Sequence, residues 1–111
     1  MAKRKIDAEL KTTIDKYIEK ISHHYKIDAV YLFGSHAKGT THEWSDIDLA
    51  IISNDIKDET DDMGNLFYLT RGVDTRIEPH PINTAEFRNR ETSFIHEIIN
   101  TGIPIYGNII S

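Results

Sequence analysis

Two aspartates, Asp46 and Asp48, stand two residues apart, and ten residues separate the first of them from a Gly34-Ser35 pair. On a β-strand, residues i and i+2 point to the same face, so the two carboxylates would project side by side. Carboxylates that close repel each other unless a cation lies between them. Hard oxygen donors of this kind suit Mg²⁺, which keeps the rest of its shell for water and substrate phosphates. Gly34-Ser35 offers the complementary chemistry. Glycine lets the backbone approach an anion closely, and N–H groups with a hydroxyl at the start of a helical turn hold phosphate. A third acid from a further strand would complete a two-metal site, and the alternating run Val73–His80 supplies Asp74 and Glu78 on one face, together with Arg76 and His80. Such a grouping suits phosphoryl or nucleotidyl transfer.

The elements that must position these residues are legible in the periodicity. Ile6, Leu10, Ile14, Tyr17, Ile18, Ile21 and Tyr25 recur at steps of three and four, which predicts an amphipathic helix over 6–25. Residues 28–33 are β-branched and aromatic and stop at Gly34, the profile of a buried strand ended by a turn. The segment 34–45 is too polar for core and reads as a loop with one short helical turn; within it Lys38 reads either as an ordinary surface lysine or as a point charge for a phosphate, and Trp44 either as a hydrophobic anchor under the loop or as a partner contact. Asp46 to Ile52 alternates and then becomes wholly apolar, as a central strand does.

The acidic stretch Asp55–Asp62 reads as a solvated loop feeding a helix through Met63, Leu66, Phe67 and Leu69, closed by Gly72. A third strand is expected over Val73–His80, with Pro79 and Pro81 marking an edge strand or its end. Thr84 would cap a short helix from Ala85 to about Asn89. Phe94, Ile95, Ile98 and Ile99 predict a last amphipathic helix ended by Gly102, and Ile103–Tyr106 a short terminal strand. His80 reads as a positioned surface imidazole.

With 111 residues and 39% apolar composition, the chain fits one compact α/β domain over 1–111, a small mixed sheet with helices packed on it. A formal charge of −5, and no basic cluster beyond Lys3-Arg4-Lys5, argue against direct nucleic-acid binding. No cysteine is present, which excludes thiolate metal sites, and no apolar run approaches the ~20 residues of a membrane span. A cytoplasmic protein is the expectation.

The stretch GSHAKGTTHEWSDIDLAII, with Gly34-Ser35, Asp46 and Asp48 in register, resembles the signature of the DNA polymerase beta-type nucleotidyltransferase superfamily. The single-domain length and the later run RIEPHPI look like its minimal nucleotidyltransferases, which are often paired with HEPN-domain proteins as toxin–antitoxin modules. The resemblance implies a polymerase beta-like fold, two Mg²⁺ ions held by Asp46, Asp48 and a third acid, and a triphosphate gripped by Gly34 and Ser35. Glu78 takes the place of the family's hydrophobic-acid pair, whereas Asp74 lies about 13 Å farther back on an extended strand. The implied function is transfer of AMP from ATP to a hydroxyl, a tyrosine of a HEPN ribonuclease toxin, so that the chain acts as the antitoxin of a type VII-like module by AMPylation. The alternatives are a non-catalytic antitoxin that neutralises by binding, and a small-molecule nucleotidyltransferase whose acceptor site a homo-oligomer would complete.

Overall fold

The computed structural model describes residues 8–34 and 46–107. Its elements run α1 (Ala8–Ile21), β1 (Ala29–Phe33), β2 (Ile47–Ser53), α2 (Glu59–Tyr68), β3 (Ile77–Asn83), α3 (Thr84–Arg88), α4 (Ser93–Thr101) and β4 (Ile103–Gly107). The strands form one mixed sheet in the order β3-β2-β1-β4. β1 pairs antiparallel with both β2 and β4, while β2 and β3 are parallel and joined through α2.

Strand alternation divides the apolar residues between two cores, one on each face of the sheet. Val30 and Leu32 of β1, Ile47, Leu49 and Ile51 of β2 and Ile77 of β3 meet Leu10, Ile14, Tyr17 and Ile21 of α1 and Leu66 of α2. Ala29, Tyr31, Ala50, Ile52 and Ile82 meet Phe87 of α3 and Ile95 and Ile98 of α4. Burial on both faces is why β1 and β2 read as near-continuous apolar runs. The Tyr17 hydroxyl, deep in the first core, donates to the Leu66 carbonyl at 2.7 Å, and burial raises its pKa well above the tyrosine range.

Several boundaries differ from the sequence expectation. The first helix ends at Ile21 rather than Tyr25, in a turn where the Ser22 hydroxyl donates to the Ile18 carbonyl. The acidic stretch is not a solvated loop feeding a later helix, because α2 begins inside it at Glu59. Asp58 caps that helix by accepting from the Asp61 N–H, and Glu59, Asp61 and Asp62 fill the first turn, where negative charge suits the helix dipole. The third strand runs from Ile77 to Asn83, later than Val73–His80. It is an edge strand and continues through both prolines; their alternate spacing keeps the missing N–H groups on one side, away from the β2 ladder. Asn83, not Thr84, caps α3 by accepting from the Ala85 N–H at 2.9 Å, while the Thr84 hydroxyl donates to Asp28.

Phe87 is fully buried against the Tyr31 ring at 5.4 Å and closes the second core. Phe87→Ala should cost about 3–5 kcal/mol in denaturant unfolding, and a loss below ~1 kcal/mol would show that α3 does not help hold this face. Asp62 ties α2 to the loops around it. Its carboxylate accepts from the Lys57 and Asp58 N–H groups and from the Tyr25 hydroxyl. Burial works against its charged form, but these three bonds outweigh it and hold its pKa below the usual aspartate value. A depressed folded pKa gives stability that is present above the unfolded value and lost as the pH falls through the folded one. Asp62→Asn should therefore destabilise the chain by ~1 kcal/mol at neutral pH, with the difference closing below about pH 4. Urea melts across that range would read it.

Candidate functional site

The second face of the sheet changes character along its length. Read across the strands, Ile52, Ala29 and Ile82 lie at the end covered by α3 and α4, whereas Asp48, Phe33, Glu78 and His80 lie at the other. Pairing fixes this arrangement. Asp48 stands opposite Phe33 on β1 and opposite Glu78 on β3, and His80 stands opposite Ala50. The polar end is thus the continuation of an apolar column rather than a surface loop.

There the donor atoms of Asp48, Glu78 and His80 all lie within 4.8 Å of one another. His80 Nε2 is 3.4 Å from Asp48 Oδ1 and 3.8 Å from Glu78 Oε1. The Asp48 side chain is 22% exposed and that of Glu78 41%, so the cluster opens to solvent on the β3 side. The imidazole is wedged in an aromatic wall, with its ring centroid 5.0 Å from Phe33 and 5.8 Å from Phe94, and these two phenyl rings 5.4 Å apart. Beyond His80 lies a cavity of about 320 Å³ lined by Pro81, Ile82, Phe94, Ile95 and Met63, with Glu59 and Glu86 on its walls.

Gly34 ends β1 with φ +73°, a left-handed conformation that favours glycine. A Cβ at this position would run into the Asp48 carboxylate. Glycine is needed here both for the turn and for the close approach of the backbone to the acid.

The other residues singled out in the sequence are placed as follows. Asp46 precedes β2 and is exposed, and it is not among the three clustered groups. Asp74 lies in the turn before β3, where its carboxylate takes a two-point grip from Arg76, Nη2 to Oδ2 at 2.7 Å and Nε to Oδ1 at 3.1 Å. That bond to Arg76 holds its pKa below the usual range and leaves it out of the cluster. Ser35, Lys38 and Trp44 lie outside the described residues. The sequence reading put His80 on the polar face of Glu78 but took it as a surface imidazole rather than a ligand. The available signal was its two-residue spacing from Glu78, the same spacing that relates Asp48 to Asp46.

Residues 15–109 match the family described as Polymerase beta, Nucleotidyltransferase, and the chain belongs to that family. The protein adenylyltransferase MntA of Shewanella oneidensis is 27% identical over 82 residues, 74% of this chain and 55% of MntA. The chain thus spans about half the length of that curated relative. Among solved structures, a protein from Sulfolobus solfataricus assigned to the nucleotidyltransferases superposes with a TM-score of 0.66 at 18% identity, covering 90% of this chain and 82% of that one. A tyrosine-to-alanine mutant of the toxin–antitoxin MntA–HepT gives 0.61 at 25% identity, covering 86% and 73%. A toxin–antitoxin crystal structure with AMP-PNP gives 0.54 at 22%, covering 89% and 74%.

Gly34→Ala isolates the geometry of the turn. It should cost about 1 kcal/mol through the positive φ and, by displacing the Asp48 carboxylate, weaken any divalent-metal binding by the three-residue cluster by roughly tenfold or more. Calorimetric titration with Mg²⁺ would measure it. Unchanged affinity would mean that Asp48 tolerates the crowding without leaving its position.

Proposed function

We propose that the chain is a divalent-metal-dependent nucleotidyltransferase that moves AMP from ATP to a protein hydroxyl, that of a tyrosine on a HEPN-type toxin, and so serves as the antitoxin of the pair. The observation that carries this reading is the convergence of Asp48 and Glu78 from adjacent parallel strands, beside the glycine turn that ends β1. The MntA likeness supports a protein as acceptor.

The donor set fits a resident metal, since partly exposed carboxylates on one face offer the hard oxygens that Mg²⁺ prefers. Asp48 and Glu78, joined by Asp46, would hold two ions, which when bound neutralise phosphate charge and make the acceptor hydroxyl more acidic. The chain's own groups do the rest. The backbone at Gly34, on the β1 side of Asp48, would grip the triphosphate, with Ser35 and Lys38 following it in the sequence as the further phosphate-binding groups that the family resemblance implies. An in-line displacement then requires the acceptor oxygen to approach from the opposite, β3 side, where the face opens into the cavity beyond His80. The acceptor oxygen forms a bond to the α-phosphorus, the bond to the departing pyrophosphate breaks, and the hydroxyl proton passes to a carboxylate oxygen of Glu78. The apolar walls of Pro81, Ile82 and Phe94 suit an aromatic side chain, and Glu59 and Glu86 favour basic neighbours around it.

Incubation with α-labelled ATP, Mg²⁺ and the partner protein should place label on a partner tyrosine and silence the partner. Asp48→Asn and Glu78→Gln should each reduce the transfer by at least about a hundredfold. If the partner is silenced equally well by the Asp48→Asn chain with no label transferred, the protein acts by binding and not by catalysis.

A further inference from the structure

The position of His80 goes beyond a hydrogen bond to an acid. Its Nε2 lies between two carboxylates, 3.4 Å from one and 3.8 Å from the other, and both distances exceed the usual hydrogen-bond range of about 2.7–3.2 Å. Donors held about 2.1 Å from a six-coordinate ion sit ~3.0 Å apart when adjacent and ~4.2 Å when opposite. The two observed separations lie between those values and all three donors are within 4.8 Å of one another, so side-chain adjustments of under about 1 Å would bring them around a single cation. The imidazole is also held from behind. Phe33 meets it edge to face at 5.0 Å and Phe94 lies at 5.8 Å, so the ring is clamped while its Nε2 reaches the acids. Glu78 and His80 share one column of β3, and the strand delivers both to the same point.

We infer that His80 is a nitrogen ligand of the metal centre, and that it biases the centre toward a first-row transition ion, Mn²⁺, over Mg²⁺. The inference rests on the metal-dependent reading of Asp48 and Glu78 and deepens it. Mg²⁺ is a hard ion that seeks oxygen, whereas Mn²⁺ accepts carboxylate and imidazole together. An all-carboxylate centre discriminates little between the two; one nitrogen tips the balance.

The test is metal binding to the full chain without nucleotide, by calorimetry and by pulsed electron paramagnetic resonance of the Mn²⁺ form. His80→Phe keeps a ring packed against Phe33 and Phe94 while removing the nitrogen. His80→Gln provides a second variant should the phenylalanine form not fold. The wild-type chain should bind Mn²⁺ at least about tenfold more tightly than Mg²⁺. Either variant should weaken Mn²⁺ by about tenfold while changing Mg²⁺ by less than about twofold. The Mn²⁺ spectrum should show coupling to a ¹⁴N nucleus that the variants lose. Absence of that coupling in the wild type, its survival in the variants, or an equal loss of both ions would overturn the inference. An Asp48→Asn arm separates the two levels. If it abolishes Mn²⁺ binding while the wild-type chain binds Mn²⁺ with no nitrogen coupling, the histidine ligand fails while the acid pair stands; if it leaves binding unchanged, the metal centre itself fails.

Discussion

The register of β2 is the constraint on which the rest of the structure depends. Its side chains alternate between two packed layers, with Ile47, Leu49 and Ile51 in one and Asp48, Ala50 and Ile52 in the other. A slip of one residue would drive Asp48 into the core beneath α1 and turn three isoleucine or leucine side chains toward the acid site. Burying an unpaired carboxylate there would cost several kcal/mol, so apolar packing on one face locks the position of an acid on the other. The site inherits its precision from a core it does not touch.

Coverage of the second face then decides what that acid can do. α3 and α4 seal only the half of the face where Ile52, Ile82 and Ala29 lie. Phe33 and Phe94 mark the boundary, and His80 stands between apolar core and acids with a ring that suits both. Asp48 is shielded enough for its interactions to be strong, while Glu78, nearly twice as exposed, faces the side from which another molecule can approach. One sheet therefore supplies a rigid acid and a reachable one at adjacent positions.

Much of this was legible in the sequence, and the failures share a cause. Apolar columns in β1 and β2 were clear because burial on both faces leaves few polar interruptions. The third strand was drawn too early because the alternation of Val73–His80 continues unbroken through residues that form a turn. What stops the strand is local: Asp74 Oδ1 accepts from the Arg76 N–H, bending the chain before Ile77. Likewise the acids from Asp58 to Asp62 look like a solvated run until their role as cap and first turn of α2 is seen. Spacing alone puts His80 on the face of Glu78, but only the parallel pairing that sets its column against Asp48 brings it to both acids. Gly34-Ser35 and the Asp-x-Asp pair were conspicuous because their spacing spans two strands and the connection between them, which few unrelated sequences match.

Pro79 and Pro81 have a further consequence. β3 is an outer strand of the sheet, yet two of its residues have no N–H to offer a neighbour. An incoming extended peptide would meet a column of pyrrolidine rings where it needs donors, so the sheet resists growth at the margin closest to the acids. Any molecule that reaches Glu78 from the β3 side must do so over the face of the sheet, since this margin does not extend by adding a strand. The acids are thus open to a side chain presented from above the sheet and closed to an extended chain laid along β3.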